Sequence, residues 1–265
     1  MRKILFMLAL IGLLSAPAFA DIVKNYDTSI AALVSTAGPG IPRSLPYSTG
    51  FEPADGFAPG YIGGQAGWTG FAGTAQGVIS AAHPAAGTQE LRISRDPSNP
   101  AGNYTGGFSP VQSALGVGDY VTSMDVYISY ALGANYGVVL QAPSQGYLSA
   151  RLEFDWLGDI IVLDDTGSGL GFVDTGVAWT PGVYKNLTID LNSITGAIDY
   201  YYDGSLVYSG VNGVFAGTSV EQVVLYSDNW QYAGEFGEFD NLSVTPEPAT
   251  LALFAVGALA LIRRR

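Results

Sequence analysis

The sequence contains no cysteine, which excludes disulfides, thiolate metal centres and a cysteine nucleophile. A single histidine, His83, excludes any site that needs two imidazoles. No Gly-x-Ser-x-Gly motif accompanies that histidine, so a Ser-His-Asp triad would rest on one imidazole in an Ala-His-Pro loop. Charge is scarce as well. Asp, Glu, Lys and Arg make up 13% of the 265 residues, about half the roughly 25% of an average soluble chain. What charge there is has one sign: between Asp21 and Val244, six basic residues stand against 22 acidic ones. Phosphate backbones repel such a body, which excludes nucleic acid as a partner and favours divalent cations or neutral polymers.

Glycine and aromatics are what the chain has in excess. It holds 35 Gly and 16 Tyr, with aromatics at 12%. Many turns, many rings and few charges predict an all-β protein, and no segment between Asp21 and Val244 has a convincing helical period. Strand periodicity is clear. Leu148, Ala150, Leu152, Phe154 and Trp156 alternate with Ser149, Arg151, Glu153 and Asp155, which predicts a strand with one buried and one solvated face. Met124–Tyr130 and Leu187–Leu191 alternate in the same way, and Ile160–Leu163, Val220–Tyr226 and Phe239–Val244 read as further strands. Ile198–Tyr202 and Leu206–Tyr208 flank Asp203-Gly204, a hairpin signal because Asp-Gly supplies the positive φ angles of a type I′ turn. Short strands at regular spacing predict a two-sheet sandwich over residues 50–244, preceded by a less patterned, Pro-rich leader at 21–49.

The order of these elements resembles the concanavalin A-like, laminin-G-type jelly roll. The resemblance is carried by Leu187–Tyr208 with its Asp-Gly hairpin, by Phe239–Val244 as closing strand, and by Phe51-Glu52 through Trp68 as opening segment. It implies an antiparallel two-sheet sandwich, a fold that carries lectins, adhesive modules and glycosidases alike.

The two ends read as addresses. Arg2 and Lys3, the apolar run Ile4–Leu14 and the small-x-small site Ala18-Phe19-Ala20 predict a signal peptide at 1–20, a substrate of the Sec export machinery. At the other end Pro246-Glu247-Pro248 precedes an apolar run, Leu251–Ile262, and then Arg263, Arg264 and Arg265. Proline-glutamate-proline predicts an extended, accessible linker. As a helix the apolar run would reach about 18 Å, a short membrane handle with its arginines on the cytoplasmic side. These parts, at 245–265, resemble the PEP-CTERM sorting signal of exported proteins in Gram-negative bacteria. The resemblance implies processing by the membrane protease exosortase, inner-membrane anchoring in transit through this tail alone, and then the outer surface, extracellular matrix or secretion. An anchor that is never cut is the competing reading.

Candidate chemistry in the body is thin. Glycosidases of the laminarinase type, on the same fold, carry Glu-x-Asp-x-Glu or Glu-x-Asp-x-x-Glu on one strand, and Glu153 and Asp155 share a strand face here. The third acid is missing: Leu157 and Gly158 occupy its two positions. Asp164, Asp165, Asp203, Asp228 and Asn229 are hard oxygen donors for a Ca²⁺ ion, which laminin-G-like folds often bind, but no Asp-x-Asp-x-Asp-Gly series connects them. No cofactor is required. Tyr127, Trp179, Tyr201, Tyr226 and Trp230 offer flat faces for sugar stacking where exposed. The expectation is an exported, non-enzymatic structural or adhesive protein with weak exopolysaccharide binding. The alternatives are a glycoside hydrolase using Glu153 and Asp155, and a surface module that binds another protein.

Overall fold

A computed structural model describes residues 45–71, 75–112, 118–165, 169–210 and 219–246. The expected signal peptide with Ala18 and Ala20, most of the leader, and Glu247, Pro248 and Arg263–Arg265 lie outside these residues.

Among the described residues sixteen strands follow one another, with one 3₁₀ turn, Pro53–Asp55. The first six are β1 (Tyr47–Thr49), β2 (Gly60–Tyr61), β3 (Thr69–Gly70), β4 (Gly77–Ser80), β5 (Glu90–Ser94) and β6 (Thr105–Phe108). Next come β7 (Asp119–Ile128), β8 (Tyr136–Ala142), β9 (Tyr147–Phe154), β10 (Asp159–Asp165) and β11 (Leu170–Ala178). The last five are β12 (Lys185–Asn192), β13 (Ala197–Tyr202), β14 (Ser205–Gly210), β15 (Gln222–Ser227) and β16 (Phe236–Pro246). They form two antiparallel sheets. Sheet I runs β14-β13-β12-β7-β16-β5-β4-β2, with β1 also pairing β16, and sheet II runs β11-β10-β9-β8-β15-β6-β3.

Alternation decides the core. Tyr120, Met124, Val126 and Ile128 of β7 point inward with Leu187, Ile189 and Leu191 of β12 and Ile198 and Tyr200 of β13. Across the interface they meet Val138, Leu140, Ala150, Leu152, Phe154, Ile160 and Val162 of sheet II. In β16 a register shift between Asp240 and Ser243 puts Phe239 and Leu242 on the same inward face, and Asn241 takes a positive φ of 51° at the bulge. The chain enters sheet I at Tyr47 rather than at Gly50, since β1 pairs with β16 through Tyr47↔Val244. The opening segment closes the same core, where Phe51 and Trp68 lie edge to face at 5.4 Å.

The Asp-Gly hairpin forms as the sequence predicts, with φ of 51° at Asp203 and 74° at Gly204. A Cβ at Gly204 meets no atom but must hold that left-handed backbone. Gly204→Ala is therefore expected to cost about 1–2 kcal/mol, read as a lower urea midpoint with an unchanged slope.

Sheet II departs from the expectation of one solvated face. Its outer side carries a second apolar cluster of Phe71, Phe108, Val139, Leu148, Leu163, Val224 and Tyr226, with Tyr104, Leu170 and Phe172 packed against it. Ser149, Arg151 and Glu153, read from sequence as solvated, are buried beneath this layer. Leu148 joins the outer cluster because the β8–β9 register shifts between Leu140 and Gln141, so the alternation slips by one residue there.

Strand direction gives the sandwich two poles. At the tail pole Pro246 pairs with Tyr120, Tyr47 with Val244, and the Ser193 amide bonds the Gly118 carbonyl at 2.9 Å. At the far pole gather the loops that follow β7, β9, β11 and β15. They are stitched by Leu132 N–H to Trp156 O (2.7 Å), Trp179 N–H to Gly158 O (2.9 Å) and Gly182 N–H to Ile128 O (2.8 Å).

Candidate functional site

The far pole is built around two polar hubs. The Asn135 side-chain oxygen accepts the Trp156 amide at 2.8 Å, while its own amide donates to Asp228 Oδ1 at 3.1 Å and its carbonyl accepts the Asp228 amide at 3.2 Å. The Glu235 carboxylate accepts the amides of Ala134 and Tyr232, each at 2.9 Å, and the Tyr136 hydroxyl at 3.2 Å. Three loops are thereby fixed to one another. Fixed loops hold their side chains at little entropic cost, which is what a binding surface needs.

These loops are where the protein exposes its large apolar groups. Tyr130 is 56% exposed, Trp156 48%, Trp230 59% and Tyr232 65%, and Leu132, Leu157 and Val183 are exposed beside them. Leu206 is exposed just past the β13–β14 turn at the edge of the same end, and among the described residues Tyr61 and Ile194 are the other exposed large apolar side chains. Such a concentration on one end of a sandwich is the mark of a contact surface.

The stacking candidates read from sequence divide accordingly. Trp230 is exposed at the far pole. Trp179 and Tyr226 are buried: the Trp179 indole donates to the Asp155 carbonyl at 3.0 Å, and Tyr226 lies under Tyr104 at 4.9 Å between ring centroids. Tyr127 is half-buried in a ring cluster with His83 (4.5 Å), Tyr184 (5.3 Å) and Phe236 (5.9 Å). Tyr201 is half-buried on the outer face of sheet I. Trp156, aligned with the inward residues by alternation, lies beyond the end of β9 and faces solvent.

The carboxylates of β9 are both engaged. Arg151 donates to Glu153 Oε1 from Nη2 at 2.6 Å and from Nε at 3.0 Å, and the Tyr226 hydroxyl donates to the same oxygen. The guanidinium sits 5.1 Å from the Phe172 ring and 5.3 Å from the Tyr226 ring, so the ion pair has aromatic walls. Asp155 turns away to cap the β9–β10 turn, where its Oδ1 accepts the amides of Leu157 (3.0 Å) and Asp159 (2.8 Å). Burial raises its pKa despite those bonds. Burial also pushes Asp228 up to about 7, reinforced by the nearby charges of Glu153 and Glu235 and opposed by the Trp230 and Asn135 amides.

The five oxygen donors considered for calcium fall at three places. Asp164 and Asp165 end β10, where Asp164 accepts the Tyr208 hydroxyl at 2.8 Å. Asp203 sits in the β13–β14 turn, paired with Lys185 at 2.5 Å. Asn229 is a loop hub beside Asp228: its side-chain amide donates to the carbonyls of Asp96, Asn99 and Pro100, and its oxygen accepts the Asp96 amide at 2.7 Å. A cavity of about 240 Å³ on sheet I is lined by Asp119, Asp190, Asn192 and Asp199. No group of three such side chains among the described residues is placed to hold a metal ion.

Sequence reasoning left His83 without a role, yet its Nδ1 lies 2.9 Å from Glu238 Oε2. The same carboxylate holds Arg92 through its other oxygen, and the Tyr184 hydroxyl donates to the His83 carbonyl at 2.8 Å. Asp240 accepts the amides of Ala85 (3.0 Å) and Ala86 (3.1 Å), so the β4–β5 loop is strapped across sheet I. Nothing local in the sequence pairs His83 with a residue 155 positions away.

Two packed antiparallel sheets in this order define a concanavalin A-like jelly roll. The fold is shared with an endo-β-1,4-glucuronan lyase from the fungus Trichoderma reesei, at 11% identity and a TM-score of 0.51, over 77% of this chain and 96% of that one. It is shared also with a sialidase, at 12% identity and a TM-score of 0.51, over 72% of this chain. The aligned part is 18% of the sialidase's own length. At such identities the likeness is one of fold alone. No curated protein matches the sequence.

The tail is more specific than the body. Residues 244–265 match the PEP-CTERM protein-sorting motif. The chain thus carries the address of an exported protein, and the motif implies membrane-anchored transit and processing by exosortase.

Proposed function

We propose that this protein is a non-enzymatic adhesive module of the cell surface or extracellular matrix, which binds exopolysaccharide through the exposed rings of its far pole. The observation that carries this reading is the placement of Tyr130, Trp156, Trp230 and Tyr232 on loops tied together by Asn135 and Glu235. Aromatic faces fixed in this way stack on the apolar faces of sugar rings at low entropic cost. They lie at the opposite end of the sandwich from Pro246, the last described residue of the sorting tail, so a chain held by that tail presents them outward. Carboxylates outnumber cations at this pole, where Asp155, Asp228 and Glu235 stand near the exposed Arg95 of the β5–β6 loop and near Lys185 of β12, which is paired with Asp203. A neutral glycan therefore suits the pole better than an acidic one.

Engagement of both β9 carboxylates supports the non-catalytic reading over hydrolysis. A retaining glycosidase needs a free nucleophile about 5–5.5 Å from an acid, whereas Glu153 is bonded to Arg151 and Tyr226, and Asp155 caps a turn. Affinity electrophoresis in gels containing laminarin tests the proposal. Trp156→Ala and Trp230→Ala are each expected to weaken retention about tenfold, on the scale of about 1–1.5 kcal/mol for an aromatic contact. Together they should abolish it. Retention unchanged in the double variant, or reducing sugar released by the wild type and lost in Glu153→Gln, would overturn it.

A further inference from the structure

The sorting motif begins inside the folded body. Where the sequence predicts an extended linker, β16 continues: Val244, Thr245 and Pro246 pair with Thr122, Val121 and Tyr120 of β7. On its other edge Val244 pairs with Tyr47 of β1, which places it between two strands. Its side chain is buried in the main core. Tyr47 is itself anchored, because the Trp68 indole donates to its hydroxyl at 2.9 Å. The first three residues of the matched motif are therefore strand residues of sheet I.

That placement conflicts with how extended peptides are read. An enzyme that binds a peptide as a strand supplies hydrogen-bond partners for its backbone. Val244 is paired along both edges, and Thr245 and Pro246 along one. Reach makes the conflict acute. The five steps from Pro246 to Leu251, where the apolar run starts, span at most roughly 18 Å when fully extended. A membrane enzyme working on the motif meets the tail pole almost at once.

We infer that the end of β16 peels from β7 and β1 before the tail is cut, so that the last pairs of sheet I set the rate of processing. Strand ends open locally at far lower cost than the whole domain. Here the outermost pairs are the weakest, because Thr245 and Pro246 are only half-buried and Pro246 has no N–H to donate. Val244, buried and paired on both sides, is the residue that resists further opening. The inference rests on the sorting motif and is independent of what the far pole binds.

Pulse–chase of the full chain in an exosortase-bearing host tests it. A Gly/Ser spacer of about six residues between Thr245 and Pro246 carries Pro246-Glu247-Pro248 away from the sheet while leaving Val244 and Thr245 paired and the body intact. The spacer variant is expected to be processed about tenfold faster than wild type, the effect of removing a local opening step, with an unchanged thermal midpoint. Tyr47→Ala, which loosens the β1 edge at Val244, should accelerate processing in the same direction. Equal rates for wild type and spacer variant would overturn the inference even if Tyr47→Ala fails to fold. Absence of processing in every variant would instead overturn the reading of the tail as a sorting signal, and this inference with it.

Discussion

Replacing Arg151 by Met is expected to lower stability by about 3–5 kcal/mol, the usual cost of leaving one member of a buried ion pair alone. Glu153 then keeps its burial and loses both guanidinium hydrogen bonds, retaining only the Tyr226 hydroxyl. The double variant Arg151→Met with Glu153→Leu removes both charges and fills the space with apolar atoms. It should recover most of the loss, because a well-packed apolar pair does about as well as a buried ion pair. Urea denaturation of the four members of the cycle reads the coupling directly. Additive losses in the double variant would mean that the two side chains act separately, contrary to the shared oxygen at Glu153 Oε1.

Stability is also expected to fall as pH rises from about 4 to about 7, the reverse of what paired surface carboxylates give. The Asp228 carboxyl, with an ordinary value of 3.8, titrates at about 7 in the folded protein because burial disfavours its charge. In that window the folded state holds a proton that the unfolded state has lost, so each unit of pH favours unfolding. The contribution is fully present below about pH 4 and gone above about pH 7, with a total of about 4 kcal/mol. Burial raises Glu90, Asp155 and Asp240 as well, so they act in the same direction. Asp228→Asn keeps an oxygen for the Asn135 and Trp230 amides and has no charge to bury. Thermal midpoints should show the variant more stable than wild type at pH 8 and nearly equal to it at pH 4. A variant that is less stable at both values would contradict the assignment.

Much of sheet I was legible in the sequence. β7, β12 and β13 alternate without interruption, and Asp203-Gly204 announced its hairpin, because an inward residue every second position is all that a sheet with one covered face requires. Sheet II was not legible in this way. On its outer face Phe71 and Tyr104, from outside the strands, pack on Phe108 and Tyr226, Phe172 of β11 packs against the same cluster, and no local pattern at Arg151 or Glu153 reveals such a layer. The same limit misplaced Trp179 and Tyr226, whose burial depends on partners distant in sequence. Trp156 was misread for a different reason: the alternation runs past the strand end that Asp155 caps. One signal for the far pole was present. Trp156-Leu157 and Trp230-Gln231-Tyr232 put large rings in turn-like segments next to Asp and Gly, where a core has no use for them. That the loops following β7, β9 and β15 converge is a matter of topology, and only the strand order discloses it.

Hydrogen–deuterium exchange of the whole protein, with and without laminarin, tests most directly where it makes contact. New protection is expected in residues 130–135, 155–158 and 228–234, with the amides of β8 and β9 unchanged. Protection confined to residues 137–141 and 149–153 would place the glycan on sheet II beside Glu153, and the account of the far pole as the binding end would be wrong.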